Sequence, residues 1–172
     1  MTQELMDLRT SILEGRYEDA LAIVDELEGM SKQAVIANIQ AFLDRMLTHL
    51  IKNQVEQRLT NSWAASISDS IIKIKRLNLK ENKTSYYVKI DDWDEMLEES
   101  FNAAIIAATV EVMEGQLSMF QLSEMVDQNL IKNTAKNFLE LTYVHSAKEL
   151  PGVIPNYLAE LPGGENWKEG RR

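Results

Sequence analysis

The segment SKQAVIANIQAFLDRMLTHLIK, residues 31–52, decides the fold. Val35, Ile36, Ile39, Phe42, Leu43, Met46, Leu47 and Leu50 recur every three or four positions. At about 100° per residue they span about 140° of a helical surface, the width of a core-facing stripe. A helix buried along so broad a face needs further helices or a sheet against it, and the rest of the chain offers helices. The preceding element, YEDALAIVDELEGM, is expected to close at Gly29 and Met30, with Ser31 capping the new helix. It would turn Ala20, Ile23, Val24 and Leu27 inward and Asp19, Asp25, Glu26 and Glu28 outward.

Downstream the same period recurs. Thr60, Asn61 and Ser62 are all good cap residues, so a helix is expected to start near 61. Its inward face is Trp63, Ile67, Ile71, Ile74 and Leu77, flanked by the small Ser66 and Ser70, with Lys73, Lys75, Arg76 and Lys80 off its centre. NKTSYYVKIDDW, residues 82–93, breaks the period and reads as an extended connection laying Tyr86 and Tyr87 over the core. Asp91 or Asp92 then caps a helix with acids in its first turn, which suits the helix dipole. FNAAIIAATVEVM, residues 101–113, is apolar on nearly every side and is expected to be the most buried stretch, ended by Gly115. A short helix around 120–128 and a longer one around 131–149 follow, the latter turning Ile131, Ala135, Phe138 and Leu141 inward. The last 23 residues hold all three prolines and four of the seven glycines. No regular helix is expected there, although Val153, Ile154, Tyr157, Leu158 and Leu161 call for part of it to dock. The fold read from sequence is all-α: a single-domain bundle of about five to seven helices over residues 1–149, with an irregular, partly docked tail over 150–172.

Composition narrows the chemistry. The 172 residues include no cysteine, which excludes disulfides, thiolate metal sites and a cysteine nucleophile. The N-terminus carries acids where a signal peptide has a basic and then an apolar region. Nowhere do about 18 apolar residues run together, so the expectation is a cytoplasmic protein that does not cross a membrane. A net charge of −9 opposes general affinity for nucleic acid. The charge is segregated: two basic and eight acidic residues in 1–30, ten and four in 31–90, and ten acids without a base in 91–130. Such blocks either neutralise one another as neighbouring helices or form a surface for a charged partner.

Known catalytic patterns are missing from the sequence. No Gly-x-Ser-x-Gly elbow and no phosphate-binding glycine loop occurs. A Glu-x-x-His di-metal pattern would need Glu three residues before each histidine, but Met46 and Thr142 stand there. Glu95-x-x-Glu98 and Glu111-x-x-Glu114 could imitate a metal-binding pair. On one continuous helix, however, Glu95 and Glu111 point about 160° apart. Lys73, Lys75, Arg76, Lys80, Lys83 and Lys89 lie near Tyr86 and Tyr87, as in a base-stacking surface, but the net charge and the acidic helix that follows favour a solvated face.

One passage gathers unusual side chains: LTHLIKNQVEQRLTNSW, residues 47–63, sets His49, Lys52, Arg58, Ser62 and Trp63 around a change of helix. Across residues 14–67 the chain resembles a bacterial all-α family known as domain of unknown function 29, common in cyanobacteria and without an assigned activity. The resemblance rests on Gly15 and Arg16, then Asp25, Glu26, Glu28 and Met30, then His49, Leu50 and Lys52, then Arg58, Ser62 and Trp63. It holds well over about residues 12–77 and loosely over 91–130. The family's aromatic N-terminal segment is absent, and residues 131–172 extend past its usual end. At this junction a serine would cap and the indole would anchor. A network of His49 and Arg58 with Asp25, Glu26 or Glu28 would lock the first three helices. No catalytic, cofactor-binding or metal-ligating residue is assigned.

The leading expectation is a non-enzymatic helical module that binds a protein partner or itself. Two alternatives remain open. One is a metal-dependent small hydrolase or nucleic-acid-processing factor using Asp94, Glu95, Glu98, Glu99 and Glu111. The other is an acidic, antitoxin-like inhibitor of a nucleic-acid-binding partner.

Overall fold

The computed structural model describes residues 2–171. Among them the secondary structure is helical: α1 (Gln3–Leu13), α2 (Tyr17–Glu56), α3 (Asn61–Asn78), α4 (Trp93–Glu111), α5 (Met119–Met125), α6 (Gln128–Val144), α7 (Leu150–Leu158) and α8 (Gly164–Lys168), with 3-10 turns at Ile90–Asp92 and Val112–Gly115. The all-α class is as expected. The residues fall into two compact units, Met1–Ala37 and Asn38–Arg172.

Four local expectations are corrected. Gly29 and Met30 end nothing, and Ser31 caps nothing, because α2 runs through them as one helix of 40 residues. A solitary exposed glycine costs a helix only about 1 kcal/mol, and helix formers on both sides carry the hydrogen-bond ladder across it. The tail is not irregular either. Pro151 stands in the first turn of α7, where a missing N–H is harmless. Pro155 lies five residues into this nine-residue helix, so the bond it removes would have run to the first-turn carbonyl of Pro151.

The third correction concerns α4. Its inner face, Trp93, Leu97, Phe101, Ala104, Ile105 and Ala108, is buried, but Ile106 is 60 % and Val110 75 % exposed. Apolar composition on every side reads as full burial only when a partner covers every side.

In the second unit Ile39, Leu43, Met46, Leu47 and Ile51 of α2 are fully buried. Ile67, Ile71 and Ile74 of α3 are fully buried as well, and each such burial contributes about 1.5–3 kcal/mol relative to exposure. Ile131, Ala135, Phe138 and Leu141 of α6 face inward as their spacing predicts. The tail docks through Leu150, Ile154 and Leu158. A Cβ added at Gly163 would sit 2.7 Å from Cα of Arg58, and one at Gly164 2.4 Å from the carbonyl oxygen of Ala159. Only glycine lets the backbone pass so close to the α2–α3 junction.

The 82–93 connection is not extended as expected: it turns through 81–84, where Lys83 takes a left-handed φ of 59°, makes a single antiparallel bridge from Leu79 to Tyr86, and closes as the 3-10 turn Ile90–Asp92. Its anchor is Asn78 of α3, whose amide holds both main-chain groups of Val88.

Candidate functional site

The α2–α3 junction brings together four of the singled-out side chains. α2 ends at Glu56, Gln57 takes a left-handed φ of 53°, and α3 starts at Asn61. The cap is Thr60, which accepts from the Trp63 N–H at 3.1 Å. Ser62, the expected cap, is exposed in the first turn. Both residues can cap, and the extended backbone at Thr60 decides between them.

Trp63 lies between two cations. The Lys52 ammonium is 4.9 Å and the Arg58 guanidinium 4.7 Å from the centre of its ring. Lys52 is 5 % exposed, so its charge needs compensation, and it receives it from the indole face and from an ion pair with Glu111 of α4. The pair is lopsided: the Lys52 side chain is 6 % exposed and that of Glu111 59 %. The hydrogen bond from Lys52 holds the Glu111 carboxyl below the usual carboxylate range. Arg58 pairs with Glu56 at 2.9 Å. Asn53 ties the junction to the tail by donating to the carbonyls of Arg58 at 3.0 Å and Pro162 at 2.8 Å. Trp167 of α8 donates to Asn61 at 3.0 Å.

His49 sits one turn before Lys52. Burial, then the nearby positive charges of Lys52 and Arg45, push its pKa from 6.5 down to about 4. Its Nδ1 is buried without a hydrogen-bond partner. The imidazole is therefore neutral at pH 7. Unfolded chains take up a proton near pH 6.5 and the folded one only near pH 4. Stability from this group is thus whole above about pH 6.5 and lost as pH falls toward 4. The full shift corresponds to about 3 kcal/mol, and partial solvent access reduces that to about 1–2 kcal/mol. Urea unfolding between pH 7 and 5 is expected to show that loss, and His49→Gln to flatten it. An unchanged slope in the variant would assign the acid sensitivity elsewhere, since the depressed carboxyls Glu111 and Glu149 act only near and below their ordinary range, around pH 4.5.

The acids Asp25, Glu26 and Glu28 are exposed in the first unit and take part in no ion pair among the described residues. The expected network fails at its premise, because the two helices it would join around Ser31 are one. Glu111, distant in sequence, supplies the carboxylate instead. Glu111 was legible as an acid but not as a partner, since no spacing rule links it to Lys52. The cap Thr60 was within reach of the sequence, whereas Asn53 and Trp167 carried no signal.

The remaining carboxylates considered for chemistry are dispersed. Asp94 pairs with Lys136 at 2.9 Å and Glu98 with Lys132, while Glu95 and Glu99 are exposed. Among the described residues no group of three or more His, Asp or Glu is placed to hold a metal ion. The basic stretch is engaged as well. Lys80 lies 5.3 Å over Tyr87 and Lys75, 7 % exposed, 5.2 Å over Tyr86. His145 caps the end of α6 and bonds Glu149 at 3.2 Å. No single described helix is long and apolar enough to cross a membrane.

Fold and site define an all-α helical protein organised around a cation-flanked tryptophan at a helix junction. The family described as Domain of unknown function DUF29 matches residues 9–139, and the chain belongs to that family. Comparison with curated proteins and with solved structures found no match. The match ends inside α6, so the docked tail lies beyond it.

Proposed function

We propose that this protein is a non-enzymatic helical module that binds another protein in the cytoplasm. One observation carries the reading: the outward face of α4. Ala103, Ile106, Ala107 and Val110 fall on one side of that helix within about 100°, and Ile106 and Val110 remain 60 % and 75 % exposed. Beyond the turn, Phe120 of α5 is 76 % exposed. The small Ala103 and Ala107 leave room for a neighbouring backbone, and the larger pair supplies apolar contact.

The test compares the wild-type protein with Ile106→Ser/Val110→Ser in affinity capture, alongside thermal melts of both. A module that binds through this face loses its captured protein in the variant while its melting temperature stays within about 2 °C, because exposed positions contribute little to stability. Identical capture profiles would refute the reading. Light scattering at low and high salt separates self-association from a different partner.

A further inference from the structure

We infer that the first unit is a second docking surface, whose apolar face takes an amphipathic helix with a basic rim from a partner protein. The inference rests on the reading of the chain as a binding module but uses a different face.

The unit pairs α1 with the start of α2 through the turn Glu14–Arg16, where Gly15 has φ 73°. A connection that short makes the two helices antiparallel neighbours. Chains below about 40 residues rarely build a sufficient core without a disulfide, a metal or a partner. Among the described residues of this unit the buried side chains are only Ser11 and Ala20, at 2 % and 6 % exposure. Both are too small to supply much apolar area. Meanwhile Leu5, Ile12, Tyr17 and Leu21 are 42 %, 52 %, 66 % and 63 % exposed.

Those four share a side. Seven residues separate Leu5 from Ile12, placing them within about 20° of each other, and Tyr17 and Leu21 lie within about 40°. Relative to Ser11 on α1 and Ala20 on α2, both pairs are rotated in the same sense by roughly 60–120°. In an antiparallel pair that sense leads to the same face. The other face carries most of the polar side chains: Asp7, Thr10, Arg16 and Asp19 line one shared concavity there, together with Ala22 and Ile23. The hairpin is therefore two-sided, with its apolar side uncovered within the unit.

Charge selects the occupant. Residues 1–37 hold eight carboxylates against three cations. Arg16 is engaged by Glu14 and Asp19 at 2.9 and 3.0 Å. Glu28 continues the Leu21 side two turns on, and Glu18 and Asp25 follow its outer edge; all three are exposed. Arg9 and Lys32 stand on the same edges and are exposed, but the acids outnumber them, so a second copy would set a net-acidic rim against its own kind. A helix with leucines on one stripe and Lys or Arg beside it covers the apolar face and meets opposite charge at the rim.

The experiment titrates the full chain with two synthetic helical peptides, a leucine stripe flanked by lysines and the same stripe flanked by glutamates, by calorimetry. The lysine peptide is expected to bind at least about tenfold more tightly. Ile12→Ser/Leu21→Ser, which keeps every charge, is expected to lose at least about tenfold, and Glu18→Lys/Asp25→Lys to shift preference toward the glutamate peptide. Ile106→Ser/Val110→Ser is expected to bind as wild type, which keeps this test separate from that of the α4 face. Wild-type affinity in Ile12→Ser/Leu21→Ser would reduce the binding to bare charge attraction and overturn the inference. So would a dimer in light scattering that this variant abolishes, since the occupant would then be a second copy. The charge-reversed pair keeps the apolar face whole, so it decides the matter if the serine variant fails to fold.

Discussion

Trp63→Ala is expected to destabilise the protein by about 3–5 kcal/mol, the range for emptying a buried aromatic site. Three losses combine. The indole is 8 % exposed and packs at the start of α3, so its removal leaves a cavity between α2 and α3. Lys52, 5 % exposed, loses the π face 4.9 Å away and retains only the Glu111 pair. Arg58, its side chain 54 % exposed, loses the ring 4.7 Å from its guanidinium, a contact that contributes about 0.5–1 kcal/mol at an exposed site. Trp63→Phe keeps a smaller ring with a weaker quadrupole, so its loss is expected to be roughly half as large. Urea denaturation reads both. A loss under about 1 kcal/mol in the alanine variant would show that the cluster is peripheral.

Asn78→Ala is expected to cost about 2–4 kcal/mol through stranded polar groups rather than through volume. Asn78 is 1 % exposed. Its Oδ1 accepts from the Val88 N–H at 2.6 Å, and its Nδ2 donates to the Val88 carbonyl at 2.9 Å and to the Tyr143 hydroxyl at 3.2 Å. Tyr143 donates to the same carbonyl at 2.6 Å and accepts from the Trp93 indole at 2.7 Å. Removing the amide leaves the Val88 N–H without a partner in the interior, while the carbonyl keeps Tyr143. Tyr143→Phe strands one buried donor as well, the Trp93 indole N–H, but it leaves both groups of Val88 satisfied by Asn78 and removes a single oxygen, so it is expected to cost less. Burial raises the Tyr143 pKa, in keeping with a phenol that stays protonated and donating. Chemical denaturation of the two variants gives the order, and a larger loss for Tyr143→Phe would contradict this account of the clamp.

The core of the second unit was legible because each buried helix needs only its own residues to show a stripe. Ile67, Ile71 and Ile74, or Ile131, Ala135 and Phe138, repeat at helical spacing whatever lies opposite them. Boundaries were less legible. Gly29 and Ser31 carry the residue types of a helix end and a cap, yet lie inside α2, since a local preference of about 1 kcal/mol yields to an otherwise continuous ladder. Pro151 and Pro155 argued against a helix that forms nonetheless, one in its first turn and the other just beyond it.

The site divides along the same line. His49, Lys52, Arg58 and Trp63 are near one another along the chain, on either side of one change of helix, so a cluster at the junction could be read directly. Its counter-charge could not. Glu111 reaches Lys52 from 59 residues away, and Asn53 meets Pro162 across 109. What the sequence by itself determined is the all-α class, the inward faces of its helices and the residues of the junction, because periodicity and spacing are properties of a single segment. Only the tertiary structure decided which acid neutralises the buried lysine, which face of α4 stays uncovered and how the tail docks. Those depend on which segments meet, and that follows from the packing of the whole core.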